Sequence, residues 1–383
     1  MKATLPEITD EKTQYETIDM LRFPLTCLVV LAHSAPVSVS VTTTGLPLLS
    51  DSGLLNFFIE LIGHALTNVA VPAFCVFSGY LFFLNFREWS WHAYGHKLRR
   101  RVHSLLLPYL AWNTLALVLI ALVSLAHDIR HGLPADNIIS LLSDPGWHIY
   151  YDAITIDGPF AGNEAFGAPI DLPLWFVRDL IVTVILTPII HFVVRRTSAF
   201  LPILLLVMAY IKFPFMTRHI NVVVPAYFTA GAFFAIHGID MTELSAKARR
   251  YAVPASIGLM LILTFAGSYH TDAGMALIAP TILVTIVAIT GIARHLTVMR
   301  GIRADRTLVA SCFFIYALHT LPPFAVTGYV GGLVYRLIPP EAAWVTYIDF
   351  PISVAITVLF CLGIYIALRR IWPTAAAFLT GMR

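Results

Sequence analysis

Charge is what this chain has least of. Only 12% of its 383 residues are Asp, Glu, Lys or Arg, against about a quarter in an average soluble domain, while 58% are hydrophobic and the mean hydropathy is +0.78. That deficit excludes an ordinary soluble enzyme. Cysteine is scarce as well: Cys27, Cys75, Cys312 and Cys361 all lie inside apolar runs, where neither a disulfide framework nor redox chemistry is indicated. There is no Gly-rich phosphate loop, no zinc-type His/Cys spacing and no HExxH, so metal and nucleoside triphosphate chemistry lack support. The formal net charge of +3 gives no argument for nucleic acid.

What is present is a series of apolar runs near the length of roughly 20 residues that a bilayer-spanning helix needs. They predict an all-α, polytopic transmembrane bundle of about ten spans, near 23–42, 69–86, 105–126, 173–194, 199–211, 222–236, 251–268, 275–293, 308–326 and 346–368. The fifth and sixth are short enough to be tilted, broken at Pro214 or re-entrant. Residues 1–21 hold five acidic side chains against Lys2 and Lys12, a poor start for a cleaved signal peptide, and read as a cytoplasmic tail. With the N-terminus inside, twenty of the 25 basic residues fall on inner segments and four on outer ones, with Arg178 inside a span. This bias predicts both termini in the cytoplasm.

Residues 127–172 form the one long outer loop, carrying Trp147, Tyr150 and Tyr151 among Asp144, Asp152, Asp157, Glu164 and Asp171. Aromatic faces beside carboxylates suit a sugar, whose ring stacks and whose hydroxyls need acceptors; simple packing over the helix ends is the alternative. A single membrane domain over 1–383 follows, with no second domain or repeat.

Titratable groups at membrane depth are costly and so point to function. Arg22 and His33 are eleven residues apart in the first span, which on a helix brings them to within about 20° of one face and about 16 Å apart along the axis. Arg22 is then expected at the inner headgroups and His33 near mid-bilayer. Ser78 in the second span and His319 in the ninth, each about nine to eleven residues in, reach the same expected depth, and Gly79 allows close helix approach. In the fourth span, Trp175 and the Arg178-Asp179 pair lie one to two turns below the outer surface. Adjacent helical residues point about 100° apart, so those two charges need not pair with each other. Ser78, Trp175, Arg178 and His319 are candidate substrate contacts; a packing serine and a snorkelling arginine are the plainer readings. Lys97, Arg100 and Arg101, in the inner loop after span two, form a cluster suited to the phosphates of a soluble cofactor or to a topological anchor.

Arg22 followed by ten residues and His33 resembles the R-x10-H signature of the acyltransferase family 3 membrane proteins. Phe74–Gly79 is similar to that family's FFxxSG motif, with Cys75 at its second Phe, and Lys97–Arg100 resembles its RxxR element, with Lys in place of the first Arg. LWFVRDL, FFIYALH and PYLAWN fit too. The resemblance implies a ten-span bundle moving an acyl group from cytoplasmic acyl-CoA, such as acetyl-CoA, to a hydroxyl of a surface or secreted glycan, in the bacterial cytoplasmic membrane. It implies no bound cofactor, and the extra periplasmic domain of some members is not expected here. On this reading His33 is the general base or, in a relay, the acyl-carrying nucleophile, and Arg22 holds phosphate or orients the acceptor. A proton-coupled carrier is the competing class, since buried His and Arg also mark proton relays, but the paired broken helices of repeated halves are not evident.

Overall fold

The structure is a computed structural model that describes residues 9–34, 53–84, 86, 89–132, 148–156, 166–210, 221–267, 271–322, 326–337 and 344–381. Residues 35–42 of the first predicted span, Asp144, Trp147, Asp157 and Glu164 of the long loop, and Pro214 lie outside the described residues. The described chain is almost entirely helical and divides into two compact units, Met1–Glu88 with Ile189–Tyr210 and Ala226–Cys312, and Trp89–Pro188 with Ile211–Pro225 and Phe313–Arg383.

The first unit holds α1 (Thr9–Ser34), α2 (Gly53–Ile59), α3 (Ala70–Phe83), most of α7 (Thr187–Thr197), α8 (Phe200–Tyr210), most of α9 (Val223–Ile236), α10 (Met241–Ala266) and α11 (Asp272–Arg300). Between α2 and α3 the chain stays helical through a π-helical segment, Glu60–Leu66, and a 3-10 turn, Thr67–Val69. Helix α1 starts fourteen residues before the predicted span. The reason is local: Gln14, Thr17, Ile18, Leu21 and Leu25 recur at helical spacing and are buried, so the packed stripe runs back into the segment read as a tail. Tyr80 donates its hydroxyl to Gln14 Oε1 at 2.7 Å, and Gln14 Nε2 donates to Asp240 Oδ2 at 3.1 Å. Asp240 also caps α10, accepting from the amides of Thr242 and Glu243 at 2.8 and 3.0 Å. α10 and α11 form a long antiparallel hairpin, with the Ser256 and Thr285 hydroxyls 2.8 Å apart. α3 and α9 touch backbone to backbone: a Cβ on Gly79 would lie 2.0 Å from the Phe228 carbonyl oxygen, and one on Gly231 1.9 Å from that of Val76. Gly79 therefore serves the close approach expected of it.

The second unit holds α4 (Trp91–Arg101), a π-helical turn Val102–Leu106 and α5 (Leu107–His131), which run on as one helix. It also holds a short antiparallel hairpin of β1 (Ile154–Ile156) and β2 (Phe166–Ala168), then α6 (Trp175–Ile185). The end of α12 (Arg306–Leu318), α13 (Val326–Leu337), α14 (Trp344–Ile371) and α15 (Pro373–Leu379) complete it. Trp112, fully buried, donates its indole N–H to the Leu379 carbonyl at 3.0 Å and stacks edge-on against Phe314.

Five described helices are long and apolar enough to cross a bilayer, Glu11–Ser34, Phe57–Phe83, Trp91–His131, Asp272–Arg300 and Pro351–Ile371. The count reaches seven if two bent pairs, Leu172–Ile185 with Thr187–Thr197 and Val223–Ile236 with Met241–Ala266, each form one span. The latter pair bends by 109° where Asp240 starts a new helix. The predicted fifth and ninth spans are present as shorter apolar helices, Phe200–Ala209 and Arg306–Leu318. Exposed Ile185, Ile189, Phe192, Phe200, Leu359 and Phe360 give these helices the outward apolar surface of a membrane bundle.

Candidate active site

In the first unit Arg22 and His33 share the unbroken α1, and Arg22 Nε contacts Asp19 Oδ1 at 3.1 Å. The candidate span Glu11–Ser34 puts Arg22 at its middle and His33 at its last turn, one level further along than the sequence suggests, because the helix begins earlier. Ser78 requires a correction. Its expected depth assumed a second span beginning at residue 69, but the helical run begins near Phe57, and the Tyr80–Gln14 bond ties this part of α3 to the start of α1. Counting back two residues from Tyr80 sets Ser78 near Glu16, about 25 Å along α1 from His33. Ser78 and His33 are not at one level.

The same register shows what hydropathy hid. His33 is nineteen residues above Gln14; nineteen residues back from Tyr80 is Leu61, beside Glu60. Glu60 is fully buried, and its Oε2 lies 3.0 Å from His64 Nδ1 across one turn of the π-helical segment. The sequence signal was available: a carboxylate and an imidazole at i,i+4 inside an apolar run. Because Glu60, His64 and Asn68 depress local hydropathy, the predicted span began after them.

In the second unit the basic cluster lies on a helix and not in a loop. At about 1.5 Å per residue the 41-residue helix Trp91–His131 is about 60 Å long, twice the ~30 Å hydrocarbon layer, so its polar first segment, α4, projects beyond it. Lys97 and Arg101 are one turn apart and half-buried, and Arg100 is exposed. Burial, aided by Arg101 and Arg100, pushes the Lys97 ammonium down to about 8.

Arg178 and Asp179 are both buried and do pair, Nε to Oδ1 at 2.8 Å. Arg178 Nη1 donates to the carbonyls of Tyr151 at 2.5 Å and Gly167 at 2.6 Å, and its guanidinium sits 4.8 Å from the Tyr151 ring centroid. Asp179 Oδ2 accepts from the Asn221 amide at 3.0 Å. The arginine thus binds the backbone at Tyr151 and Gly167 instead of snorkelling. Trp175, partly exposed, opens α6 and meets Phe176 edge-on. Tyr316 donates to the Pro173 carbonyl, which brings the FFIYALH segment to the start of LWFVRDL. His319 is fully buried, one turn from Tyr316, with Nδ1 3.1 Å from the Ile315 carbonyl. Asp171 is fully buried too; its amide donates to Asn113 Oδ1 at 3.2 Å, and burial lifts its carboxyl well above the usual carboxylate range.

A multi-pass helical bundle carrying buried imidazole and guanidinium groups is the framework of a membrane enzyme or carrier. The profile of the acyltransferase family 3, described as an acyltransferase domain, matches residues 15–366, so the chain belongs to that family. It is similar to the succinoglycan biosynthesis protein ExoH of Rhizobium meliloti (strain 1021), 26% identical over 262 residues, or 66% of this chain. The chain spans 62% of that relative's length. No solved structure matches.

Proposed function

We propose that the chain transfers an acyl group, acetyl in the first instance, from cytoplasmic acyl-CoA to a hydroxyl of a glycan or lipid-linked saccharide, with His33 as general base. The observation that supports this best is the placing of Arg22 and His33 eleven residues apart on one unbroken membrane helix in a chain of this family. The succinoglycan relative favours a polysaccharide acceptor. A thioester is already activated, so the reaction needs a base for the acceptor's proton and donors for the developing oxyanion. A neutral imidazole meets the first need. Lys97, Arg100 and Arg101 hold the CoA phosphates and Arg22 steadies donor or acceptor, while Trp175 and His319 remain acceptor contacts in this reading. Arg178 acts as a positioning residue for the outer loop. The ten-span arrangement in the bacterial cytoplasmic membrane, with both termini inside, belongs to the same proposal.

The test is acetyl transfer in everted membrane vesicles that carry the cell's own lipid-linked saccharides, supplied with radiolabelled acetyl-CoA. Label should enter the saccharide fraction with stoichiometric CoA release. His33→Gln, which keeps size and hydrogen bonding but takes no proton, should lose about 10²–10⁴ in rate at normal abundance. A well-inserted His33→Gln protein that retains more than about a tenth of the parent rate overturns the assignment of the base. Solute flux without thioester cleavage would favour a carrier.

A further inference from the structure

Three titratable groups of the first unit lie at one level: His33, Glu60 and His64. Two register counts, both starting from Gln14, place them there. The Tyr80–Gln14 bond puts Leu61 opposite His33, as counted above. On α10, Gln14 meets Asp240, so His33 is level with Leu259, nineteen residues on; Phe57 packs on Phe265 with ring centroids 5.0 Å apart, so Glu60 is level with Ile262. The two counts agree to within about three residues, or roughly 5 Å. Helix α1 packs directly on the π-helical segment. The turns that face this level carry no titratable group: Leu259–Ile262 on α10 and, through the Ser256–Thr285 contact, Ile278–Leu283 on α11, where Thr281 is the one polar side chain. Within a turn of His33, α1 adds no other titratable group.

A fully buried Glu60 beside a partly exposed His64 in an apolar segment is costly, and so is the π-helical geometry that brings the two side chains together; both are features that recur at functional sites. The carboxylate oxygen lies 3.0 Å from Nδ1, which leaves Nε2 as the edge of the ring turned to the reaction in this proposal. Expelling CoA as a bare thiolate from a poorly hydrated site is unfavourable. We propose that His64, held by Glu60, is the general acid that protonates the departing thiolate, the counterpart of His33 on the acceptor side. This rests on the acyltransferase reading above.

The step balances. As the acceptor oxygen bonds to the thioester carbonyl carbon, its proton passes to His33. The carbon–sulfur bond breaks, and the proton on His64 passes to sulfur, giving CoA thiol and the ester. His33 is left protonated and His64 neutral, and one proton moved from the first ring to the second resets the pair. Glu60 stays ionised throughout and balances the charge of the protonated His64 ring.

The test uses a leaving group that needs no acid. In the everted vesicles, His64→Gln should lower transfer from acetyl-CoA about 100-fold, yet transfer from S-phenyl thioacetate, whose aryl thiolate is far less basic, should change by less than about threefold relative to the parent. Glu60→Gln should show the same selective loss, and it carries the test should His64→Gln fail to insert. Equal losses with both thioesters would reduce the pair to a structural role, and undiminished acetyl-CoA activity in both variants would remove it from the reaction. Either result leaves the His33 reading standing; a parent protein that transfers no acetyl group would instead overturn that reading itself.

Discussion

Arg178 and Asp179, neighbours in the chain, form a fully buried ion pair at 2.8 Å, and the remaining reach of each goes to backbone: Arg178 to the Tyr151 and Gly167 carbonyls, Asp179 to the Asn221 amide. One side-chain pair therefore fastens both Tyr151 with the β2 residue Gly167 and the Asn221 amide to α6. Removing the guanidinium leaves a buried carboxylate and two carbonyls without their donor.

Arg178→Ala should consequently destabilise the protein by about 3–5 kcal/mol, read as a lower unfolding midpoint in detergent. Arg178→Lys keeps the charge but not the fork, and should recover only part of the loss. A stable Arg178→Ala protein with a raised acceptor KM would instead return the residue to substrate binding.

The basic face of α4 should bind acyl-CoA phosphates. Lys97→Gln with Arg100→Gln and Arg101→Gln is expected to raise the acyl-CoA KM and flatten its salt dependence, with kcat less affected. Because the Lys97 ammonium titrates near 8, the phosphates meet a full charge below that pH and a diminishing one above it, so the KM of the parent should rise between about pH 7.5 and 9. Lys97→Arg, which stays charged, should abolish that rise.

The mutual approach of Gly79 and Gly231 makes both intolerant of a side chain. Gly79→Ala and Gly231→Ala each drive a methyl into a backbone carbonyl and should cost about 3 kcal/mol or more. Once either has forced α3 and α9 apart, the second should add little, so the double variant is expected to be less than additive by thermal unfolding.

Topology can be read by labelling single cysteines on a background lacking Cys27, Cys75, Cys312 and Cys361. Gly95 and Ala153 are both exposed. In intact cells an impermeant maleimide should modify Ala153→Cys and spare Gly95→Cys; the reverse pattern would invert the map and place the basic face of α4 outside.

Hydropathy and charge, which each residue carries wherever it stands, were enough to show an α-helical membrane bundle, and the Arg22–His33 spacing was legible because both sit on one helix whose geometry is local. Helix ends were less legible. Gln14 and Thr17 look like tail and Glu60 and His64 look like loop, because hydropathy does not register what their polar atoms meet: Tyr80 and Asp240 for Gln14, and the contact across one π-helical turn for Glu60 and His64. The i,i+1 argument that Arg178 and Asp179 need not pair considered directions around a helix but not the length of a guanidinium, nor the buried carbonyls that draw it inward. The kinds of element and the candidate base were thus determined by the sequence itself. The register between α1 and α3, which separates Ser78 from His33 and brings Glu60 level with it, was decided only by the tertiary structure, because it depends on which side chains satisfy one another across helices, and no single helix encodes that.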